Sequence, residues 1–279
     1  MSGASTIVFG FDSAWTDNPR APGAICAISC SSELGFRFIE PRLVSFSSAL
    51  EFILSERSGH EFGLVAIDQP TVVPNETGSR PVDKVAAALV SYVGGGVQPA
   101  NRSKAKMFGD GAPIWKFLAN VDAVQDPTEA QTSNEGNYLI EVFPALALPS
   151  LNSKFAVRMS APKYNPANRK KFKLRDWKEV AATVQATARK LALAELEDWA
   201  GKMLVLNTPT KSDQDRLDAS ICALIGFMWR EKCAQCAMIG DLMSGYMITP
   251  VSAETSKRLQ NAALKQQTTF QCYTDWVLS

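Results

Sequence analysis

Histidine is nearly absent from this chain, with His60 the single example among 279 residues. This argues against a histidine-based triad, although chemistry run by carboxylates and metal ions stays open. Of six cysteines, Cys233 and Cys236 alone have CxxC spacing, whereas a structural zinc site needs four ligands. We therefore expect reduced thiols in apolar segments, without a zinc site or redox pair.

Long hydrophobic runs are also missing. No apolar stretch approaches the roughly 20 residues that span a membrane, and the N-terminal sequence does not read as a secretory leader. A formal net charge of +1 excludes a global positive field, so any nucleic-acid binding must be local. With 46% hydrophobic and 20% charged residues, we expect a globular protein of the cytoplasm with no membrane partner.

Glycine-rich nucleotide loops are missing as well. No GxGxxG motif follows the first apolar run, which argues against a dinucleotide-binding fold. The glycine run 94–96 lacks the lysine and serine or threonine of a phosphate loop, and we interpret it as a flexible linker.

Two apolar runs that end on carboxylates organise the chain. Residues 7–11 predict a buried strand that ends at Asp12, and residues 62–67 predict another that ends at Asp68. Ligands of open α/β sheets bind at the carboxyl ends of strands, so the two acids predict one shared site. The alternative for Asp12 is an ordinary turn cap.

The elements near the first strand predict a meander. Strands at 23–29 and 35–39 and a helix at 47–56 give the order β-β-β-α-β. Residues 70–137 are rich in proline, glycine and asparagine and form an excursion with helices at 81–92 and 113–121. Further on, we expect a helix from Asp176 to Trp199 with Glu179 as its capping-box partner, strands at 204–206 and 245–250, and a closing helix at 253–265.

Three more acids belong to predicted elements. Glu141 lies inside the apolar strand 138–144, where it must face an edge, pair with a cation or metal, or titrate upward. Asp215 and Asp218 share a stripe beside the apolar face of a helix that starts near Ser212. Asp215 has a second interpretation as the capping-box partner of Ser212.

Positive charge is concentrated in one segment. Residues 150–175 contain no acid and eight bases: Lys154, Arg158, Lys163, Arg169, Lys170, Lys171, Lys173 and Arg175. Such a strip is the local footprint of a polyanion site, and the alternative is a solvated surface. The cations that we single out for substrate binding are Arg80, Lys163, Arg169, Lys170, Lys171 and Lys211.

A set of short motifs now points to a family. They are Gly10-Phe11-Asp12, Ala66-Ile67-Asp68-Gln69-Pro70, Arg80-Pro81-x-Asp83, Ile140-Glu141-Val142-x-Pro144, Asp215-x-x-Asp218-Ala219, and Ile239-Gly240-Asp241 with Gly245-Tyr246. With them the sequence resembles the uncharacterised DUF429 proteins, which are placed among the ribonuclease H-like nucleases. The resemblance implies an α/β fold, a ribonuclease H-like mixed five-stranded sheet in order 3-2-1-4-5 with strand 2 antiparallel, flanked by helices. It implies one domain over residues 1–279, with an insertion at about 70–137 and the basic segment at about 150–175.

The function that the resemblance implies is that of a metal-dependent nuclease acting on DNA or RNA. Asp12, Asp68 and Asp218 would be ligands of Mg²⁺ or Mn²⁺, with Asp215 and Glu141 completing the catalytic set. Oxygen-only sites suit these ions, which can activate water against a phosphodiester. The family's usual glycine-arginine element appears here only as Asn168-Arg169. The alternatives are a binding protein of the same fold without catalysis and a phosphotransferase, although Asp12–Trp15 lacks the glycine-rich loop of such kinases.

Overall fold

The computed structural model describes residues 5–31, 35–232 and 234–273. A five-stranded sheet has the order β3-β2-β1-β4-β5. Strand β2 is antiparallel to both neighbours, while β1, β4 and β5 run parallel. This confirms the predicted order and the antiparallel second strand. The strands are β1 (Thr6–Asp12), β2 (Gly23–Ser31), β3 (Gly35–Val44), β4 (Phe62–Ile67) and β5 (Gly136–Glu141).

Helices cover both faces of this sheet. They are α1 (Phe46–Arg57), α2 (Pro81–Val90), α3 (Ala105–Phe108), α4 (Pro113–Asn120), α5 (Pro127–Thr132), α6 (Pro144–Leu151), α7 (Leu174–Lys190), α8 (Ala194–Leu204), α9 (Lys211–Glu231) and α10 (Ala253–Lys265), with a 3-10 turn at Ser153–Phe155. A second sheet has the order β7-β6-β8 and contains β6 (Cys236–Asp241), β7 (Gly245–Pro250) and β8 (Phe270–Tyr273).

The alternation of side chains along β1 divides the core into two layers. Ile7, Phe9 and Phe11 face α1 and α4, where Phe11 and Phe117 have ring centroids 5.4 Å apart. Val8 faces the opposite layer, which contains α9. Side chains of a strand alternate between its two faces, so Asp12 lies on the same face as Val8, the face toward α9.

Helix α9 lies unusually close to β1. A Cβ atom added at Gly10 would lie 2.1 Å from the carbonyl oxygen of Ala219 and 2.3 Å from the amide nitrogen of Ala223. These are backbone atoms in the middle of a buried helix, so they cannot move aside cheaply. The glycine therefore sets the distance between the strand and the helix.

The second sheet packs with α2 and α10 into a separate apolar cluster. One parallel bridge between Val142 and Ile248 joins it to the end of β5. Strand β7 and helix α10 match the predicted ranges, whereas β6 and β8 were not predicted. In the part of the chain that the structure describes, no helix is long and apolar enough to cross a membrane. Of the CxxC pair, Cys233 lies outside the described residues.

Several predicted boundaries are wrong. The helix expected over 176–199 is two helices, because the chain turns at Leu191–Leu193 with Ala192 at φ 57°. Helix α7 begins before Asp176, which lies in its first turn and accepts a hydrogen bond of 2.8 Å from the Lys163 amide. Leu204 is the last residue of α8, Val205 and Leu206 follow it, and none of the three lies in a strand. The strand expected over 138–144 ends at Glu141, and α6 begins at Pro144.

The contact at Gly10 gives a first prediction. Gly10→Ala should lower the free energy of unfolding by about 3 kcal/mol or more, because overpacking against backbone atoms cannot be relieved by a rotamer change. Gly111→Ala is the matched control, since a Cβ at Gly111 would meet no atom within 4 Å. Urea unfolding measures both variants. Equal stability of the two variants would show that α9 can move away from β1 at little cost.

Candidate functional site

The ends of β1 and β4 bring two carboxylates together. Phe11 is in register with Ile67, and the Asp68 amide donates to the Phe11 carbonyl at 2.8 Å. Asp12 and Asp68, one position further on, therefore stand side by side on the face that α9 covers. Both side chains are half-buried.

The loops that leave these strands are tied to each other. The Ser13 hydroxyl donates to Oε1 of Gln69, and both residues are buried. The side-chain amide nitrogen of Gln69, Nε2, is buried and has no hydrogen-bond partner among the residues that the structure describes. The two exit loops are thus fixed relative to each other directly after the acids.

Helix α9 adds Asp215 and Asp218 to the same place. Its N-cap is Thr210, whose hydroxyl accepts from the Asp213 amide while Asp213 Oδ2 accepts from the Thr210 amide at 2.8 Å. The predicted capping box of Ser212 and Asp215 is therefore wrong. Asp215 instead forms an ion pair with Lys211, one turn earlier.

Asp218 is buried and held by two side chains. Its Oδ1 accepts from the Tyr164 hydroxyl at 2.7 Å, and its Oδ2 accepts from Gln214 Nε2 at 2.8 Å. Tyr164 comes from the basic segment 150–175, and the sequence analysis gave it no role. A lone tyrosine among lysines and asparagines gives no sequence signal that its hydroxyl reaches an acid 54 positions away.

The acids disturb one another's protonation. Burial, followed by the charge of Asp218, raises the pKa of both Asp12 and Asp68 well above the usual range. Burial also raises the pKa of Asp218 to about 6, although the Tyr164 hydrogen bond and Lys211 act to lower it. Close like charges in a low-dielectric site have this effect, and a bound cation would relieve it.

Lys211 is the cation that faces this cluster. Burial acts to lower its pKa, but the hydrogen bond to Asp215 and the charge of Asp12 outweigh burial, so the pKa is raised. One ammonium group cannot neutralise the neighbouring acids, whose pKa values stay raised in its presence. The site therefore retains an excess of negative charge when all of its carboxyls are ionised.

Glu141 belongs to a different arrangement. It stands in the same row across the sheet as Phe11 and Ile67, one position before the row of Asp12 and Asp68. Alternation along the strand turns its side chain to the other face, although its charge still acts to raise the pKa of Asp68. There Arg80 donates from Nη2 to Glu141 Oε1 at 2.6 Å and from Nη1 to Oε2 at 2.9 Å.

The Arg80 guanidinium closes a buried network. It also donates from Nη2 to Asp83 Oδ1 at 2.8 Å, while the Thr71 amide donates to Glu141 Oε2 at 3.0 Å. Arg80 has no solvent-exposed surface. Burial raises the pKa of Glu141 even though Arg80 acts to lower it. The structure therefore places Arg80 inside the protein, paired with two acids, and away from any surface that a substrate could reach.

The other predicted cations lie outside the acid cluster. Arg169, Lys170 and Lys171 are exposed and have no carboxylate partner among the described residues. Lys163 is half-buried and donates from Nζ to the Gly94 carbonyl at 2.6 Å. These residues form a strip of positive charge that Tyr164 connects to Asp218.

The carboxylates of the acid cluster are potential ligands of a divalent metal ion. Across residues 5–31, 35–232 and 234–273, no three histidine, cysteine or acidic side chains are placed so that they could hold one metal ion together. The donors themselves are carboxylates, as Mg²⁺ and Mn²⁺ prefer. Mg²⁺ is commonly held by one or two carboxylates with several waters. In type and number, Asp12 and Asp68 fit that mode of binding, with Asp218 beside them.

Fold and site together define a class: an α/β protein with a mixed five-stranded sheet and an acidic cluster at the carboxyl ends of two parallel strands. A family model described as "Protein of unknown function (DUF429)" matches residues 16–241. The chain belongs to the DUF429 family. The matched region includes Asp68, Asp215 and Asp218, and it starts after Asp12. Neither the curated proteins nor the solved structures gave a match.

The two kinds of buried carboxylate give opposite predictions for the metal-free protein. Asp218→Asn should hold or raise the melting temperature, because it removes a repelling charge. Its new amide nitrogen can donate to Gln214 Oε1, a buried atom that otherwise lacks a partner among the described residues. Gln214 needs only a flip of its amide to accept that bond.

Glu141→Gln should instead lower the free energy of unfolding by about 3 kcal/mol, since it breaks a buried ion pair with Arg80. Thermal and urea unfolding in EDTA compare the two variants. A loss of stability in Asp218→Asn as large as that in Glu141→Gln would show that repulsion among the acids of the cluster does not destabilise the metal-free protein.

Proposed function

We propose that this protein is a divalent-metal-dependent nuclease that hydrolyses phosphodiester bonds of DNA or RNA. The observation that carries the proposal is the convergence of Asp12, Asp68 and Asp218, where the charge of Asp218 raises the pKa of the other two. Beside them lies a strip of exposed lysine and arginine side chains. The strand order also agrees with the ribonuclease H-like sheet that the sequence motifs imply.

Asp12 and Asp68 would hold the ion, with Asp218 as a further carboxylate beside them. A Mg²⁺ or Mn²⁺ ion held there would activate a water molecule for attack on the phosphodiester and would offset the negative charge that develops on the phosphate. The Tyr164 and Gln214 hydrogen bonds orient the Asp218 carboxylate before any ligand arrives. Lys211 reduces the repulsion among the acids, and it would also be available to a phosphate oxygen of the substrate.

Lys163, Arg169, Lys170 and Lys171 would bind the substrate backbone. Three of them are exposed without carboxylate partners among the described residues, so binding a phosphate would break no existing ion pair. The strip and the acids are linked through Tyr164, so backbone binding at the strip would be next to the proposed cleavage site.

A binding protein of the same fold without catalysis is the second candidate. It is favoured by one observation: both oxygens of Asp218 already have hydrogen-bond partners from the protein itself. Such a protein would gain nothing from the charge conflict between Asp12 and Asp68. A cytoplasmic location is part of our proposal, in line with the buried thiols of Cys26 and Cys222.

Metal-dependent stabilisation and cleavage test the proposal. Mn²⁺ or Mg²⁺ at 100 times its dissociation constant should stabilise the parent by about 2.7 kcal/mol. Asp12→Asn and Asp218→Asn should lose both this stabilisation and the cleavage of labelled DNA or RNA. Asp213→Asn is the control, because Asp213 caps α9 outside the cluster. Its stability should fall by about 1 kcal/mol or less, with the metal response intact.

The outcomes separate the two candidates. A parent that is stabilised by metal and cleaves nucleic acid, with both properties lost in the two cluster variants, is the expected result. Nucleic-acid binding without cleavage in either metal would favour the non-catalytic candidate. An Asp218→Asn protein that is stabilised by Mn²⁺ like the parent would show that Asp218 is not a ligand.

The basic strip gives a separate prediction. Charge reversal of Lys170 and Lys171 to glutamate should weaken binding and reduce the slope of log K against log salt by about 0.9 per lost phosphate contact on duplex DNA. The control reverses Lys190 and Lys265, which are exposed at the ends of α7 and α10 and change the net charge equally. An unchanged slope of log K against log salt in the Lys170 and Lys171 variant would show that the strip is an ordinary solvated surface.

A further inference from the structure

A cavity of about 370 Å³ lies beside the acid cluster. One wall is the glycine run 94–96, and the other is the basic segment, including Lys163, Tyr164, Lys171 and Phe172. The volume is in the range of sites that hold small organic ligands. None of its described lining residues is acidic.

The two walls are fixed to each other by hydrogen bonds. The Met159 amide donates to the Tyr92 carbonyl at 3.0 Å, and the Ala161 amide donates to the Val93 carbonyl at 2.6 Å. Lys163 Nζ adds a bond to the Gly94 carbonyl. The glycine run, interpreted from the sequence as a flexible linker, is therefore part of a wall that the basic segment holds in place.

Tyr164 is common to the cavity and the acid cluster. Its side chain lines the cavity, and its hydroxyl donates to Asp218 at 2.7 Å. A ligand in the cavity would thus be separated from the acids by a single aromatic side chain.

The lining offers the groups that a nucleotide needs. Lys171 has no carboxylate partner among the described residues, and the Gly96 amide donates to no backbone group there. Together they can bind a phosphate. Phe172 and Tyr164 are half-buried aromatic rings beside them, and such rings stack on unpaired bases.

We propose that this cavity binds one nucleotide of a single-stranded segment, with its phosphate at Lys171 and the Gly96 amide and its base at the aromatic side. The inference rests on the proposed function in one respect, since it takes the adjoining phosphodiester to lie at the acid cluster. A single strand is required because a base inside a duplex is stacked on its neighbours and has no free face for an aromatic side chain.

The test is binding of a fluorescent oligothymidylate in EDTA, where neither metal nor cleavage is needed. Lys171→Ala and Gly96→Ala should each weaken binding about tenfold, while a duplex of the same length is much less affected. A Cβ at Gly96 would meet no protein atom within 4 Å, so the substitution adds a methyl group at a residue that lines the cavity without a steric clash.

Two control variants match these changes. Gly111→Ala also adds a methyl group in open space, and Lys190→Ala removes an exposed positive charge elsewhere. Both should bind the oligonucleotide like the parent. Melting curves check that all four variants remain folded.

The outcomes separate this inference from the proposed function. Weaker single-strand binding in both cavity variants supports the cavity, whether or not the parent cleaves nucleic acid. Parent-like binding in both overturns it, even if metal-dependent cleavage is found. An equal loss of binding to the duplex overturns it too. So does a parent protein that binds thymidine monophosphate but does not bind the oligonucleotide.

Discussion

A methyl group has no room between strand β1 and helix α9, and the acid cluster depends on that constraint. Gly10 lets the helix backbone approach the strand at Ala219, the residue directly after Asp218. Asp12 lies two positions after Gly10 on β1 and therefore on the same face of the sheet, the one that α9 covers. The contact thus places an acid of the helix beside the acids of β1 and β4, and any residue larger than glycine would separate them.

The protein buries carboxylates in two different ways. Around Arg80, two acids share a guanidinium with no exposed surface, and their charges are compensated inside the fold. Around Asp12, Asp68 and Asp218, Lys211 compensates only in part, and the pKa values rise. The first arrangement is typical of structural support, because it is complete. The second is typical of a site that gains from a bound cation.

Local sequence patterns predicted the strands of the sheet and the two strand-end acids, whereas the order of the strands was implied by the family resemblance. Apolar runs ending at Asp12 and Asp68 define β1 and β4, and the apolar face of α9 locates Asp218. The pairing of Glu141 with Arg80 depends on a contact 61 positions apart, which no local pattern records. Along β5, Glu141 lies in the row of Phe11 and Ile67, one position before the row of Asp12 and Asp68. The cap of α9 and the break at Ala192 were missed because several residues there can cap or turn.

Diffraction from a crystal soaked in Mn²⁺ would show whether an ion binds at the acid cluster, because anomalous scattering locates the ion itself. We expect a peak between the carboxylates of Asp12 and Asp68, within roughly 2.1 Å of an oxygen atom of each. A crystal of the Asp12→Asn variant should lack that peak. A peak bound elsewhere in the parent, with none between these two carboxylates, would contradict a metal-dependent site at the ends of β1 and β4.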